Sequence, residues 1–301
     1  MKNNVVRSPL FYVGDKYKLI REIKNHFPNN IQRFVEPFVG GGSVFMNVDA
    51  KEFLLNDLDS NIIAIHQMLC HYATNTDDFF SKVDALVERY GLSCSYKKDI
   101  VPNELKKEFV KTFYARFNKA GYEKLRDDYN KSTSRDVFIL YVLLIYGFNR
   151  MIRFNKQGNF NLPVGNVDMN QNTINALNDY FNLVITKLPR WYNFDFEQFI
   201  DEIYLGPNDL IYLDPPYLIT FSEYNKYWND ETEIRLLNLL NRLNDNNIRF
   251  AISNVTHYKG KVNEIFLEWS QQYHSHPIKS NYISYHDNTT KTFTEVLITN
   301  Y

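Results

Sequence analysis

RFVEPFVGGGSVF, residues 33–45, reads as a short apolar strand, a glycine turn and the start of a helix. Glycines at positions 40, 41 and 42 let the backbone turn sharply and come close to a ligand. The next stretch, EFLLNDLDSNIIAIHQML (52–69), follows the same order: strand, acidic turn at Asp57, then a helix for which Ser60 is the expected N-cap. A strand–helix–strand opening of this kind predicts a doubly wound parallel α/β sheet. The glycine turn by itself fits any tight strand-to-helix connection. Asp57 adds a carboxylate able to accept hydrogen bonds from ribose hydroxyls, and the two features together fit a nicotinamide cofactor as well as any other nucleoside.

Outward from this core, residues 16–26 read as a helix on the N-terminal side. Strand signals return at 192–194, strongly at 209–213, and again at 247–254, while YISYH (282–286) and TFTEVLITNY (292–301) read as a closing hairpin. Between 65 and 188 apolar residues recur at helical spacing, as in DVFILYVLLIYGF (136–148), interrupted by a polar, glycine-containing stretch at 149–170. A strand–helix–strand unit takes about 30 residues. Strands ending near Asn56 and restarting near Tyr192 are too distant for a simple crossover, so a helical domain is expected between them. The expected division is a discontinuous catalytic domain, 1–64 and 189–301, with a mainly helical insert, 65–188.

Charge follows the same division. The net charge is −1, yet residues 89–156 hold 15 Lys and Arg against 7 Asp and Glu. A basic segment inside an otherwise acidic chain suits a phosphate-binding module, although a solvated helical face would carry the same charges. Two cysteines outside any CxxC spacing, with scattered histidines, argue against a structural zinc site or a disulfide framework, and no metal is expected. The N-terminal residues lack a signal-peptide pattern and no apolar run approaches 18 residues. A cytoplasmic protein without a membrane span is therefore expected.

The chemistry concentrates in IYLDPPYLITF (211–221), where Asp214, Pro215, Pro216 and Tyr217 directly follow an apolar strand. An exocyclic amino group on a nucleobase is a poor nucleophile, because its lone pair is delocalised into the ring. The Asp214 carboxylate and the Pro215 carbonyl can accept its two N–H bonds, draw the nitrogen towards sp³, and aim the lone pair at a sulfonium methyl. The prolines fix the backbone, and Tyr217 offers a face for a flipped base.

Together these motifs resemble the Dam-type (D12 class, alpha-group) DNA adenine-N6 methyltransferases, whose target-recognition domain lies between the cofactor motif and the DPPY motif. The resemblance covers nearly the whole chain. It implies a doubly wound S-adenosylmethionine-dependent methyltransferase fold, Rossmann-like, with S-adenosyl-L-methionine as cofactor and double-stranded DNA as substrate. Asp214 to Tyr217 match the catalytic motif. Tyr12, Gly14 and Lys16 resemble the N-terminal cofactor motif, and Glu36, Pro37, Phe38, Gly40, Gly42 and Ser43 its cofactor loop. Asp57 matches the ribose-binding acid, and Asp195 and Phe196 resemble the segment that holds the cofactor's adenine, with Asp214 also beside the cofactor.

YGFNRMIRFNKQGNFNLPVG (146–165) resembles the family's DNA-contacting loop and hairpin. By that resemblance Phe148 and Asn149 order the space left by the flipped base, and Arg153 reads a guanine bidentately. Met151 and Pro163 meet a thymine methyl, Lys156 contacts phosphate, and Asn155 and Asn166 belong to the DNA-contacting set. Alternatives remain at two positions: Arg153 as a phosphate clamp or ion-pair partner, and Phe148 as core. The chain departs from the family pattern at Tyr12, commonly Trp, at Asp15 in place of a second glycine, and at Asn166, where GATC-specific members often carry a basic residue.

The expected activity is in-line methyl transfer to adenine N6 within a short duplex site, GATC or CATG in type, by base flipping. The expected state is a monomer or weak dimer, with a cognate restriction endonuclease as a possible genetic companion. N4-cytosine methylation, an RNA substrate and a noncatalytic DNA-binding module are the rival readings.

Overall fold

The computed structural model describes residues 5–98, 100–220, 228–279 and 293–301. Eight described strands lie in one sheet: β1 (Arg33–Glu36), β2 (Glu52–Asn56), β3 (Arg190–Tyr192), β4 (Leu210–Leu213), β5 (Arg249–Tyr258), β6 (Lys261–Val262), β7 (His274–Ile278) and β8 (Phe293–Thr299). Their order is β3-β2-β1-β4-β5-β8-β7, with β6 paired to β5 off that path. The first five are mutually parallel, and β8 runs antiparallel to both β5 and β7. This is the expected doubly wound α/β sheet, closed on one side by an antiparallel pair. Its central strands are apolar almost throughout, because a parallel strand covered on both faces has no solvent side: all four residues of β4 are buried.

The helices are α1 (Ile20–Lys24), α2 (Ser43–Asn47), α3 (Ser60–Tyr72), α4 (Thr76–Tyr90), α5 (Asn103–Glu108), α6 (Phe113–Lys131), α7 (Val137–Tyr146), α8 (Gln171–Lys187), α9 (Phe196–Asp201), α10 (Asp230–Asp245) and α11 (Glu264–Ser270). Contacts divide the chain into two units. One is Met1–Tyr17, Gly40–Met46 and Asp59–Leu188; the other is Lys18–Val39, Asn47–Leu58 and Pro189–Tyr301.

The sheet unit packs Val35, Leu54, Ile211, Leu213, Phe250 and Ile252 against Phe199, Leu240 and Phe266. Each fully buried aliphatic or aromatic side chain contributes about 1.5–3 kcal/mol. The helical unit is built around α7, whose residues from Leu140 to Tyr146 are all buried. Phe79 of α4 meets Phe138 and Phe181 at ring separations of 5.1 and 5.2 Å. The N-terminal segment and the glycine loop group with these helices rather than with the sheet. Among the described residues no helix is long and apolar enough to cross a membrane.

Local details depart from the sequence expectations for physical reasons. The helix expected over 16–26 is confined to Ile20–Lys24, because Asp15 takes the Tyr17 amide into a turn at 3.1 Å. Asp59, not Ser60, caps α3: its carboxylate accepts from the Asn61 amide at 2.9 Å. The strand expected at 192–194 ends at Tyr192, because Asn193 turns to donate to the carbonyls of Asp57 and Leu58 and the Phe194 amide goes to Asn56. β8 lies between β5 and β7 and is antiparallel to both; residues 282–286, the other arm of the expected closing hairpin, lie outside the described residues.

Candidate active site

The order of the sheet reverses between β1 and β4. The chain leaves β1 for β2 and β3 on one side, then returns to β4 and β5 on the other. Open α/β sheets bind ligands outside the carboxyl ends of the strands at such a switch point. Val35 pairs with Ile211, so Glu36-Pro37-Phe38 and Asp214-Pro215-Pro216-Tyr217 emerge from neighbouring strands at that edge.

Tyr217 is held at both ends. Its backbone carbonyl accepts from the Thr220 amide and hydroxyl, each at 3.1 Å. Its hydroxyl lies 2.9 Å from Asp214 Oδ1 and 3.1 Å from Oε1 of Glu295, a buried residue of β8. Pro215 is buried, while Asp214, Pro216 and Tyr217 are partly exposed. Below them Tyr212 is buried. Burial, reinforced by the Asp214, Glu36 and Glu295 carboxylates, pushes its phenol well above the ordinary range.

Two further predicted positions sit on the same unit. Asp57 follows the end of β2, half-buried. Asp195 caps α9 by accepting from the Glu197 amide at 3.1 Å, and its carboxylate also receives the Arg235 guanidinium. Arg235 bonds Glu197 at 3.1 Å as well and lies over the Phe196 ring at 4.8 Å. Phe196 packs on Phe38 at 5.5 Å and on Trp228 at 6.0 Å, making an apolar platform beside two carboxylates. Trp228 is anchored from below by Glu233, which accepts from its indole at 2.6 Å and from Asn254 and Asn263 at 3.0 and 2.9 Å. Burial pushes the Glu233 carboxyl upward against those three donors.

The glycine loop belongs to the helical unit. Gly40 and Gly42 have φ of +47° and +79°, and a Cβ on Gly42 would lie 2.4 Å from the Phe45 ring. A Cβ on Gly41 would lie 2.9 Å from Tyr12, so side chains are excluded by packing as well as by backbone conformation. The N-terminal segment is laced to this loop. Ser8 donates to the Gly41 carbonyl, and Tyr12 lies against Gly40 and Gly41. Burial raises the Asp15 carboxyl, opposed by the Tyr17 amide, Arg7 and Lys16. Lys16 is buried, whereas Gly14 is exposed with φ +83° and open space around its Cα. His66 supports the loop from beneath through the Gly40 carbonyl. A turn of three glycines with positive φ at Gly40 and Gly42 leaves bare backbone that a ligand could approach at close range.

The segment following α7 is a closed loop. The Phe148 amide donates to Pro163 at 2.8 Å and the Gly165 amide to Tyr146 at 2.7 Å. Gly165 packs so tightly that a Cβ would lie 2.6 Å from the Gly147 carbonyl oxygen. Asn149 and Arg150 are both left-handed, with φ of 53° and 49°. Phe148 is 52% exposed, which removes the core reading of that residue. Arg153 donates twice to Asn161, from Nε to Oδ1 and from Nη2 to the backbone carbonyl, each at 2.9 Å, so Asn161 is a partner that the sequence did not single out.

Asn155 shapes the hairpin tip, its side chain accepting from the Gln157 and Asn159 amides. Asn166 accepts from the Tyr114 and Ala115 amides at the start of α6. Lys156, Pro163 and Asn149 are exposed and Met151 half-buried. Arg150, adjacent to these, is structural: its guanidinium stacks on Phe11 at 3.9 Å, and burial lowers it to about 10.

Glu295, Arg235, Trp228 and His66, which contact Tyr217, Asp195, Phe196 and Gly40 respectively, were not singled out by the sequence. Glu295 had one local signal, an acid opening the buried run EVLIT; His66 had another, a polar ring on the apolar face of a helix with Ile62, Ile63 and Leu69.

A profile of the D12 class N6 adenine-specific DNA methyltransferases matches residues 12–283. The chain is 34% identical over 315 residues to the type II methyltransferase M.FokI of Planomicrobium okeanokoites, an alignment covering 99% of this chain and 43% of that protein. It is 34% identical over 316 residues to the modification methylase StsI of Streptococcus sanguinis, covering 98% and 43%. It is also 34% identical over 168 residues to the DNA adenine methylase of Escherichia coli strain K12, covering 55% and 49%. The chain thus spans less than half the length of these relatives.

Proposed function

This chain belongs to the D12 class of N6 adenine-specific DNA methyltransferases, and from that premise we propose that it methylates adenine N6 within a short duplex sequence, with S-adenosylmethionine as donor. The observation that carries this reading is the DPPY segment at the sheet's switch point, with the Asp214 carboxylate and the Tyr217 ring fixed beside each other. Asp214 and the Pro215 carbonyl accept the two N6 hydrogens, and Tyr217 stacks the extruded base. The nitrogen then presents its lone pair, and Asp214 is the nearest acceptor for the proton released on transfer. When bound, S-adenosylmethionine supplies an electrophilic sulfonium methyl group. Asp57 is assigned to its ribose, the Phe38–Phe196 platform and Asp195 to its adenine, and the Gly40–Gly42 backbone with Lys16 and Ser43 to the remainder.

Residues 65–188 are proposed as the target-recognition domain. Phosphate contacts from their basic side chains give salt-sensitive affinity, and Arg153 reads guanine. Phe148 and Asn149 fill or order the vacated stack. The site is of GATC or CATG type. The enzyme is proposed to work in the cytoplasm as a monomer or weak dimer, with a cognate restriction endonuclease as a candidate genetic companion.

The test is single-molecule sequencing of genomic DNA from a methylation-free host expressing this chain, beside an Asp214→Ala control. N6-methyladenine at one short motif, lost in the control, is the expected result. Unmodified adenine from soluble protein that binds the donor would remove the adenine assignment and bring forward cytosine N4 or RNA.

A further inference from the structure

We propose that Glu295 is a positioning residue for methyl transfer, holding the Tyr217 hydroxyl so that the tyrosine ring and the Asp214 carboxylate keep one fixed geometry. The inference rests on the methyltransferase reading above and concerns a residue 78 positions from Tyr217 in the chain.

A carboxyl group taken out of water is costly unless its oxygens are hydrogen-bonded. Glu295 is 1% exposed, on a strand whose next residues, Val296, Leu297 and Ile298, form part of the apolar core. It pairs in register with Val255 of β5 and Ile278 of β7, so the sheet on both sides fixes its backbone. From that rigid place its Oε1 reaches the Tyr217 hydroxyl at 3.1 Å, while the same hydroxyl lies 2.9 Å from Asp214 Oδ1.

One phenolic O–H between two carboxyl groups has two arrangements that leave Asp214 an acceptor, as the proposed reaction requires. Either the hydrogen is shared, or Glu295 carries a hydrogen and donates it to Tyr217 while Tyr217 donates to Asp214. Both tie the phenol to β8 at its outer end, and Thr220 ties the inner end. A ring anchored at both ends presents one face to a stacked base. A carboxylate bonded through one oxygen keeps its orientation towards the amine. Small losses of such alignment lower the rate of the chemical step far more than they lower binding. Gln at position 295 can donate from Nε2 to the phenol and so preserves the second arrangement; Leu preserves neither.

The test is a double-mutant cycle on the full chain acting on its methylatable duplex, with kcat and the KM for S-adenosylmethionine measured separately. Glu295→Leu is expected to lower kcat about tenfold, the worth of one hydrogen bond, Tyr217→Phe, which loses the bonds to both carboxyl groups, at least as much, and the double variant no further than Tyr217→Phe alone. The KM is expected to stay within about twofold, and Glu295→Gln to keep kcat near the wild-type value. In protein labelled with 13C at the tyrosine ζ carbon, the Tyr217 resonance, assigned through Tyr217→Phe, is expected to move in Glu295→Leu.

Wild-type kcat in either single variant overturns the proposal, as does a double variant whose losses multiply, a Glu295→Gln as poor as Glu295→Leu, or an unmoved Tyr217 resonance. Should Glu295→Leu not fold, a wild-type rate in Tyr217→Phe is by itself enough to overturn it. Wild-type protein that methylates no DNA is a different outcome, which removes the methyltransferase reading and this role with it.

Discussion

His66 donates from Nε2 to the carbonyl oxygen of Gly40 across 2.9 Å. A carbonyl can only accept, so this bond fixes the tautomer, and Nδ1 is left to accept from the Tyr180 hydroxyl, also at 2.9 Å. Helix α8, helix α3 and the glycine loop are thereby joined through one neutral ring.

A stability prediction follows from that ring. Burial lowers the His66 pKa to about 4. The unfolded chain binds this proton near pH 6.5, the folded chain only near 4. The contribution is fully present above about 6.5 and is lost as pH falls towards 4, on the order of 3 kcal/mol in all. Urea unfolding at pH 5 and pH 7.5 should show the drop, and His66→Phe should flatten it. Equal pH slopes in the two proteins would refute the assignment.

Two glycines separate backbone strain from steric conflict. Gly14 and Gly42 both have left-handed φ, but only Gly42 has a ring 2.4 Å from the site of a new Cβ. Gly14→Ala should cost about 1 kcal/mol and Gly42→Ala about 2–4 kcal/mol, with donor binding lost mainly in the second. Thermal unfolding and donor titration read both; similar costs for the two would show that packing around Gly42 yields.

Arg235 tests the assignment of Asp195. It is partly exposed and bonds Asp195 and Glu197 while covering Phe196. Ion pairs of that exposure contribute only about 0–1 kcal/mol, so Arg235→Met should leave stability nearly unchanged. It should raise the KM for S-adenosylmethionine several-fold if Asp195 and Phe196 hold the adenine. An unchanged KM would move the adenine elsewhere.

Phe148 offers the corresponding test on the DNA side. Since it is half-exposed, Phe148→Ala should cost less than about 1 kcal/mol in stability. Methylation of a perfect duplex should slow markedly, and a mismatch opposite the target adenine should restore much of the rate, because the base is then already easy to extrude. Equal defects on both substrates would exclude a part in opening the stack.

The motifs behind the proposed site were legible because their carriers are contiguous. Three glycines after an apolar strand, and Asp-Pro-Pro-Tyr after another, each state their geometry within a dozen residues. Spacing and charge predicted a helical insert over 65–188; the helical unit defined by contacts also takes in Met1–Tyr17 and Gly40–Met46. The cap of α3 and the end of β3 were misplaced because they depend on competition between neighbouring polar side chains, Asp59 against Ser60 and Asn193 against the ladder, which residue pattern does not resolve.

The sequence by itself determined the fold class and the family, because strand periodicity, turn chemistry and a short contiguous motif are local properties. Tertiary structure alone decided which side chains hold the motif residues still: Glu295 for Tyr217, Arg235 for Asp195, His66 for Gly40, across 78, 40 and 26 positions of chain. A buried polar group takes whatever partner folding brings within about 3 Å, and that choice depends on strand order and helix packing rather than on neighbours in sequence.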